Sequence, residues 1–143
     1  MDASLPVLED LGFQNGSDTP DVEEFERPWN MLETGIARSL REQIVGTVTS
    51  TLIDGNVHES VVLDESQGPI LIERGAEVGP FVLIQGPVII RAGAEVRQGA
   101  FVRPYTWACE GSVIGHATEI KHTLLMPGAK APHLNYVGDS LLA

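Results

Sequence analysis

The chain has 143 residues, 43% of them apolar and 20% charged, which allows one domain with a core and is too short for two ordinary ones. Its formal net charge of −11 is offset by no Lys/Arg-rich stripe and argues against nucleic acid or anionic membranes as partners. A single cysteine, Cys109, excludes an internal disulfide framework. With no signal-like start and no run of about 18 apolar residues, it points to a cytoplasmic protein.

Residues 1–26 carry eight acidic side chains and no Lys or Arg, with turn signals at Asn15-Gly16 and Thr19-Pro20. This reads as an acidic leader, mobile or loosely docked. From Pro28 the pattern changes. Trp29, Leu32, Ile36, Leu40 and Ile44 recur at three- and four-residue steps, which predicts an amphipathic helix within 27–46, opened by Pro28 and stopped near Gly46. One such helix must cover something, and the following β segment is its natural partner. Residues 47–143 are β-like, beginning with an entry stretch of imperfect repeat (Ile53, Val57, Val61-Val62-Leu63).

A six-residue register then takes over. Ile72, Val78, Ile84, Ile90, Val96, Val102, Ala108, Ile114, Ile120 and Met126 are all apolar. A second column four residues on (Ala76, Val82, Val88, Ala94, Ala100, Thr106, Ser112, Thr118) is small or β-branched until Leu124 and Lys130 break it. Neither a helix nor a simple strand repeats every six residues with glycines at regular intervals, among them Gly75, Gly93, Gly99 and Gly111. A triangular coil does. Three six-residue sides make an 18-residue turn, and turns stack at the parallel-strand spacing of ~4.8 Å with the large column inside. The expected fold class is mainly β: a parallel β-helix of hexapeptide repeats, preceded by one helix and the leader. Flat sides and open ends favour packing three copies together. The 18-residue period also places Arg103 and Lys121 on one corner, where two cations repel unless an anion such as phosphate joins them. Cys109 follows the inward Ala108, should point outward, and has no acid/base partner in register.

The segment GHATEIKHTLLMPGAKAPHLNYVGDS (115–140), with FVRPYT (101–106) and RPWNMLE (27–33), resembles the C-terminal acetyltransferase domain of the bifunctional sugar-1-phosphate nucleotidyltransferases that make UDP-N-acetylglucosamine. The resemblance implies left-handed winding, a homotrimer, and acetyl transfer from acetyl-CoA, as co-substrate, to glucosamine 1-phosphate. It implies His133 as general base on the sugar amine. It implies Arg103, Lys121 and Tyr136, with Asn135 beside it, as contacts to the sugar phosphate or UDP-sugar. Such proteins also have a nucleotidyltransferase domain and coils beyond "GDS" that complete the acetyl-CoA groove, so a fragment or reduced relative is expected. By ideal register His133 and Arg103 lie on different corners, which calls for a distorted coil or a site shared between protomers. Two other readings compete: a non-catalytic trimerising module, and a zinc carbonic anhydrase-like coil using His58, His116, His122 or His133. In the latter, His116 and His122 fall on neighbouring sides rather than converging, and no metal is expected.

Overall fold

The computed structural model describes residues 19–22, 25 and 27–143. The rest of the acidic leader lies outside the described residues, but Val22 is buried and Asp21 pairs with Arg38 at 2.6 Å. The helix expected within 27–46 is two pieces. A 3₁₀ turn (Pro28–Leu32) is followed by irregular chain and then helix α1 (Leu40–Thr47). Gly35 and Arg38 adopt left-handed φ values of 79° and 59°, which no helix can pass through. Ser39 then restarts the helix, its side chain accepting the Glu42 N–H. Leu40 and Ile44 are buried as the periodicity required, whereas Trp29 is 42% exposed and Met31 takes its place inside.

The remainder is a parallel β-solenoid of about five turns. The first turn holds β1 (Leu52–Ile53), β2 (Asn56–Val57) and β3 (Val62–Asp64). The second holds β4 (Ile70–Ile72), β5 (Glu77–Val78) and β6 (Leu83–Gln85), and the third β7 (Val88–Ile90), β8 (Glu95–Val96) and β9 (Phe101–Val102). Next come β10 (Thr106–Ala108), β11 (Val113–His116) and β12 (Glu119–Leu125), then β13 (Lys130–His133) and β14 (Tyr136–Leu142). Strands one turn apart pair in parallel. Side one carries β1, β4, β7 and β10, side two β2, β5, β8, β11 and β13, and side three β3, β6 and β9. β12 and β14 bend round from side three to side one, which joins those two sides into one continuous sheet.

Nine of the ten residues in the expected inward column, from Ile72 to Ile120, lie in the coil core. Met126 does not. Thr106 pairs with Val88, 18 residues away, but on its other side with Thr123, only 17 away. The corner at Lys121–His122 is therefore one residue short, and every later phase shifts by one. Leu125 enters the core in place of Met126, Ala131 aligns with Ile114 in place of Pro132, and Val137 with Ile120. Thr123, Ala129 and Asn135 continue the small column. The breaks at Leu124 and Lys130 are thus a phase change, not a loss of repeat. The entry turn is long instead of short, pairing Leu52 with Leu71 and Val62 with Leu83.

The outer surface of side one is apolar as well. Ile89, Trp107, Cys109, Leu124 and Met126 form a second cluster with Val22, Met31, Leu40, Ile44 and Val48 of the N-terminal arm. Cys109 does point out of the prism, yet the arm buries it completely. Ile44→Ala should cost about 2–4 kcal/mol, measured by urea unfolding. Because the loss falls on the arm–coil contact, it should also speed alkylation of Cys109 at native pH. Unchanged alkylation would mean that the arm does not shield the thiol.

Candidate functional site

From the second circuit on, most corners of the prism are turned by one residue of left-handed φ. Between sides one and two these are Gly75, Gly93, Gly111 and Gly128. Between sides two and three they are Phe81, Gly99, Ala117 and Leu134, and between sides three and one Tyr105, His122 and Asp139. L-residues pay about 1–2 kcal/mol there, so the last two corners keep side chains against a backbone preference for glycine.

The third corner, between sides three and one, carries a cationic pocket of about 230 Å³, lined by Arg41, Gln67, Gln85, Arg103, Pro104, Tyr105, Lys121 and His122. Arg103 and Lys121 meet here because β9 and β12 keep the 18-residue pairing (Phe101↔Glu119, Val102↔Ile120) and the phase change falls only after Lys121. Their repulsion is eased within the chain: Arg103 lies 3.6 Å from Glu119, and Lys121 lies 3.7 Å from Asp139. Gln67 and Gln85 fall on the same 18-residue count, whereas Tyr105, His122 and Arg41 escape it. Tyr105, His122 and Asp139 recur at 17-residue steps, and Arg41 arrives from α1 with its guanidinium 4.3 Å from the Tyr105 ring centre.

His122 is nearly enclosed. Its Nδ1 lies 2.8 Å from an Asp139 carboxylate oxygen, its Nε2 is buried without a hydrogen-bond partner, and the Tyr105 ring stands edge-on at 6.5 Å. The His122 hydrogen bond, with the charge of Lys121 adding to it, holds the Asp139 carboxyl below the usual carboxylate range. A carboxylate lowered in the folded state stabilises at pH values above its unfolded pKa, and that gain is lost as pH falls through the folded value. Asp139 is 59% exposed, so solvent limits the effect. Asp139→Asn should cost under about 1 kcal/mol at pH 7, and the difference from the parent should shrink as acidification protonates the carboxylate in the folded state, as read by urea unfolding.

His133 is elsewhere. It is exposed at the end of β13 on the second corner, aligned with His116, and the two rings lie 5.3 Å apart. In ideal register His133 would align with Gly115; the one-residue phase change moves it onto His116. Side three, spanned by about five residues at ~3.3 Å each, separates it from the Lys121 corner. Asn135 is half-buried at the start of that side, its backbone N–H 3.4 Å from the Thr118 hydroxyl and its side-chain amide nitrogen unpartnered. Tyr136 is exposed, aligned with Glu119, and its hydroxyl lies over Gly138, whose row is that of Lys121. One chain thus brings Arg103 and Lys121 together, extends Tyr136 toward them, and leaves His133 on another edge. Among the described residues no three His, Cys, Asp or Glu side chains converge in a metal-holding group, and no helix is long and apolar enough to cross a membrane.

No family model matches the chain. Among curated proteins it is 40% identical over 116 residues to the bifunctional protein GlmU of Methanocaldococcus jannaschii, a match covering 81% of this chain and 26% of that protein. The chain is homologous to the bifunctional sugar-1-phosphate nucleotidylyltransferase/acetyltransferases. The protein bearing that name in Sulfurisphaera tokodaii is 38% identical over 117 residues, 82% of this chain and 27% of its own length. GlmU of Methanococcus aeolicus is 37% identical over 118 residues, with 81% and 26% covered. The chain therefore spans about a quarter of the length of these relatives. The homology and the β-solenoid agree with the resemblance drawn from the sequence.

Proposed function

We propose that the chain is an acetyltransferase coil of sugar-nucleotide biosynthesis, transferring acetyl from acetyl-CoA to the amine of glucosamine 1-phosphate in the cytoplasm. The observation that carries this reading is the cationic corner: in a chain of net charge −11, Arg41, Arg103 and Lys121 face one pocket. A phosphate joined to Arg103 and Lys121 would replace the weak, long contacts to Glu119 and Asp139 with charge-assisted hydrogen bonds. Tyr136 and Asn135 would bound the sugar. His133, as the free base, would accept the proton as the amine nitrogen attacks the thioester carbonyl. The C–S bond then breaks and the CoA thiolate leaves, taking that proton.

Because His133 and Lys121 occupy different corners, the site would be completed between chains. The exposed apolar side chains Phe81 and Leu134 on the second corner, and Val62 and Tyr136 on side three, support close packing of copies as a homotrimer. The test is CoA release by the purified chain from acetyl-CoA and glucosamine 1-phosphate, beside sedimentation of the same sample. Release dependent on the sugar phosphate, from a trimer, is the expected result. A trimer that binds glucosamine 1-phosphate and releases no CoA would make the coil a binding module instead.

A further inference from the structure

We infer that His122, held by Asp139, is a third ligand-binding group of the Arg103–Lys121 pocket and donates its Nε2–H, as an imidazolium, to a phosphoryl oxygen. The inference rests on the reading of this corner as a phosphate site and adds a residue to it. Three features of His122 point the same way. Its side chain is 7% exposed and lines the pocket together with the two cations. Its Nδ1 is committed to Asp139 at 2.8 Å, which fixes the ring plane. Its Nε2 is buried with no partner in the chain, an arrangement that costs free energy unless something fills it. The residue also holds a left-handed φ of 41°, so the backbone is kept in a disfavoured region to place this side chain.

The surrounding charges make the ligand an anion. Asp139 touches the ring directly and Lys121 reaches the other oxygen of the same carboxylate, Tyr105 meets the ring edge-on, and Arg41 stands behind Tyr105. Arg103 completes the wall with its own partner Glu119. Three permanent cations face two carboxylates, so no further acid is at hand for Nε2. With a phosphoryl oxygen at Nε2 and the Asp139 carboxylate at Nδ1, both ring nitrogens have acceptors, which is the bonding pattern of an imidazolium. Binding of a dianion should therefore take up a proton across the pH range in which histidine changes charge. Asp139 touches no ligand in this scheme; it is a positioning residue.

Sulfate tests this cleanly, because it stays a dianion from pH 5 to 8 and any pH dependence belongs to the protein. Calorimetric titration of the full chain with sulfate, and in parallel with glucosamine 1-phosphate, should show sulfate affinity rising about tenfold from pH 8 to pH 6. His122→Asn, which tolerates left-handed φ, should bind about tenfold more weakly at pH 6 and lose the slope. His122→Lys should bind tightly at both pH values without a slope, and His133→Asn should keep it. A His122→Asn chain that binds as the parent does, while Arg103→Ala loses binding, would overturn the role of His122 and leave the phosphate site standing. A parent chain that takes up neither sulfate nor glucosamine 1-phosphate would overturn both.

Discussion

Gly115→Ala should destabilise the coil by about 4 kcal/mol or more, one of the largest losses any single methyl could cause in this chain. Gly115 lies in β11, directly beneath β13. A Cβ built there would sit 2.0 Å from the carbonyl oxygen of Pro132 and 2.1 Å from its carbon. Both atoms are backbone in the next turn, so no rotamer change relieves the clash; the turns themselves would have to part. Gly111 supplies the contrast. It has a left-handed φ of 68° and nothing within 4 Å of an added Cβ. Gly111→Ala should then lose only the conformational term, about 1–2 kcal/mol. Urea unfolding of the two variants measures the difference. Equal losses would mean that the stacked turns yield more easily than their backbone hydrogen bonds imply.

The second large effect follows from the proposed division of the acetyl-transfer site between corners. Either His133→Ala or Arg103→Ala alone should depress acetyl transfer to glucosamine 1-phosphate, the former by about 10²–10⁴ in kcat and the latter mainly through KM. Mixed after co-refolding, the two inactive chains should regain activity. A site built from the second corner of one chain and the third corner of its neighbour escapes both lesions in roughly a quarter of random pairings in a symmetric ring. Recovery of kcat/KM to that fraction of the parent value is the expected result. Mixtures as inactive as their components would place both groups in one chain's site and require the coil to distort.

The sequence carried the coil in plain form because an inward column at every sixth position is a core, and a core of Ile, Val and Ala cannot be arranged otherwise at that period. It also carried the pairing of Arg103 with Lys121, since 18 residues is one circuit. It could not show where the circuit changes length. The shortening at Lys121–His122 leaves the composition unchanged and announces itself only by Leu124 and Lys130 falling out of phase, which equally suits an irregular end. Hence the six-residue count puts Met126 inside where Leu125 belongs, and an 18-residue count does not bring His122 and Asp139 beside Tyr105. Arg41 was out of reach for another reason: its place depends on how α1 lies across side one, and helical periodicity says nothing about docking. The helix itself was overextended because Ile36 and Leu32 kept the period while Gly35 and Arg38 broke the backbone.

The left-handed corners have a consequence for how such a coil acquires new chemistry. Their side chains stand on convex edges, outside the packed interior, and the neighbouring turns fix their backbone whatever residue occupies them. A ligand-touching group can therefore be exchanged on an edge, circuit by circuit, without repacking a single Ile or Val. Glycine would be the more comfortable occupant at each of these stations, so a side chain placed there is carried at a cost to the backbone.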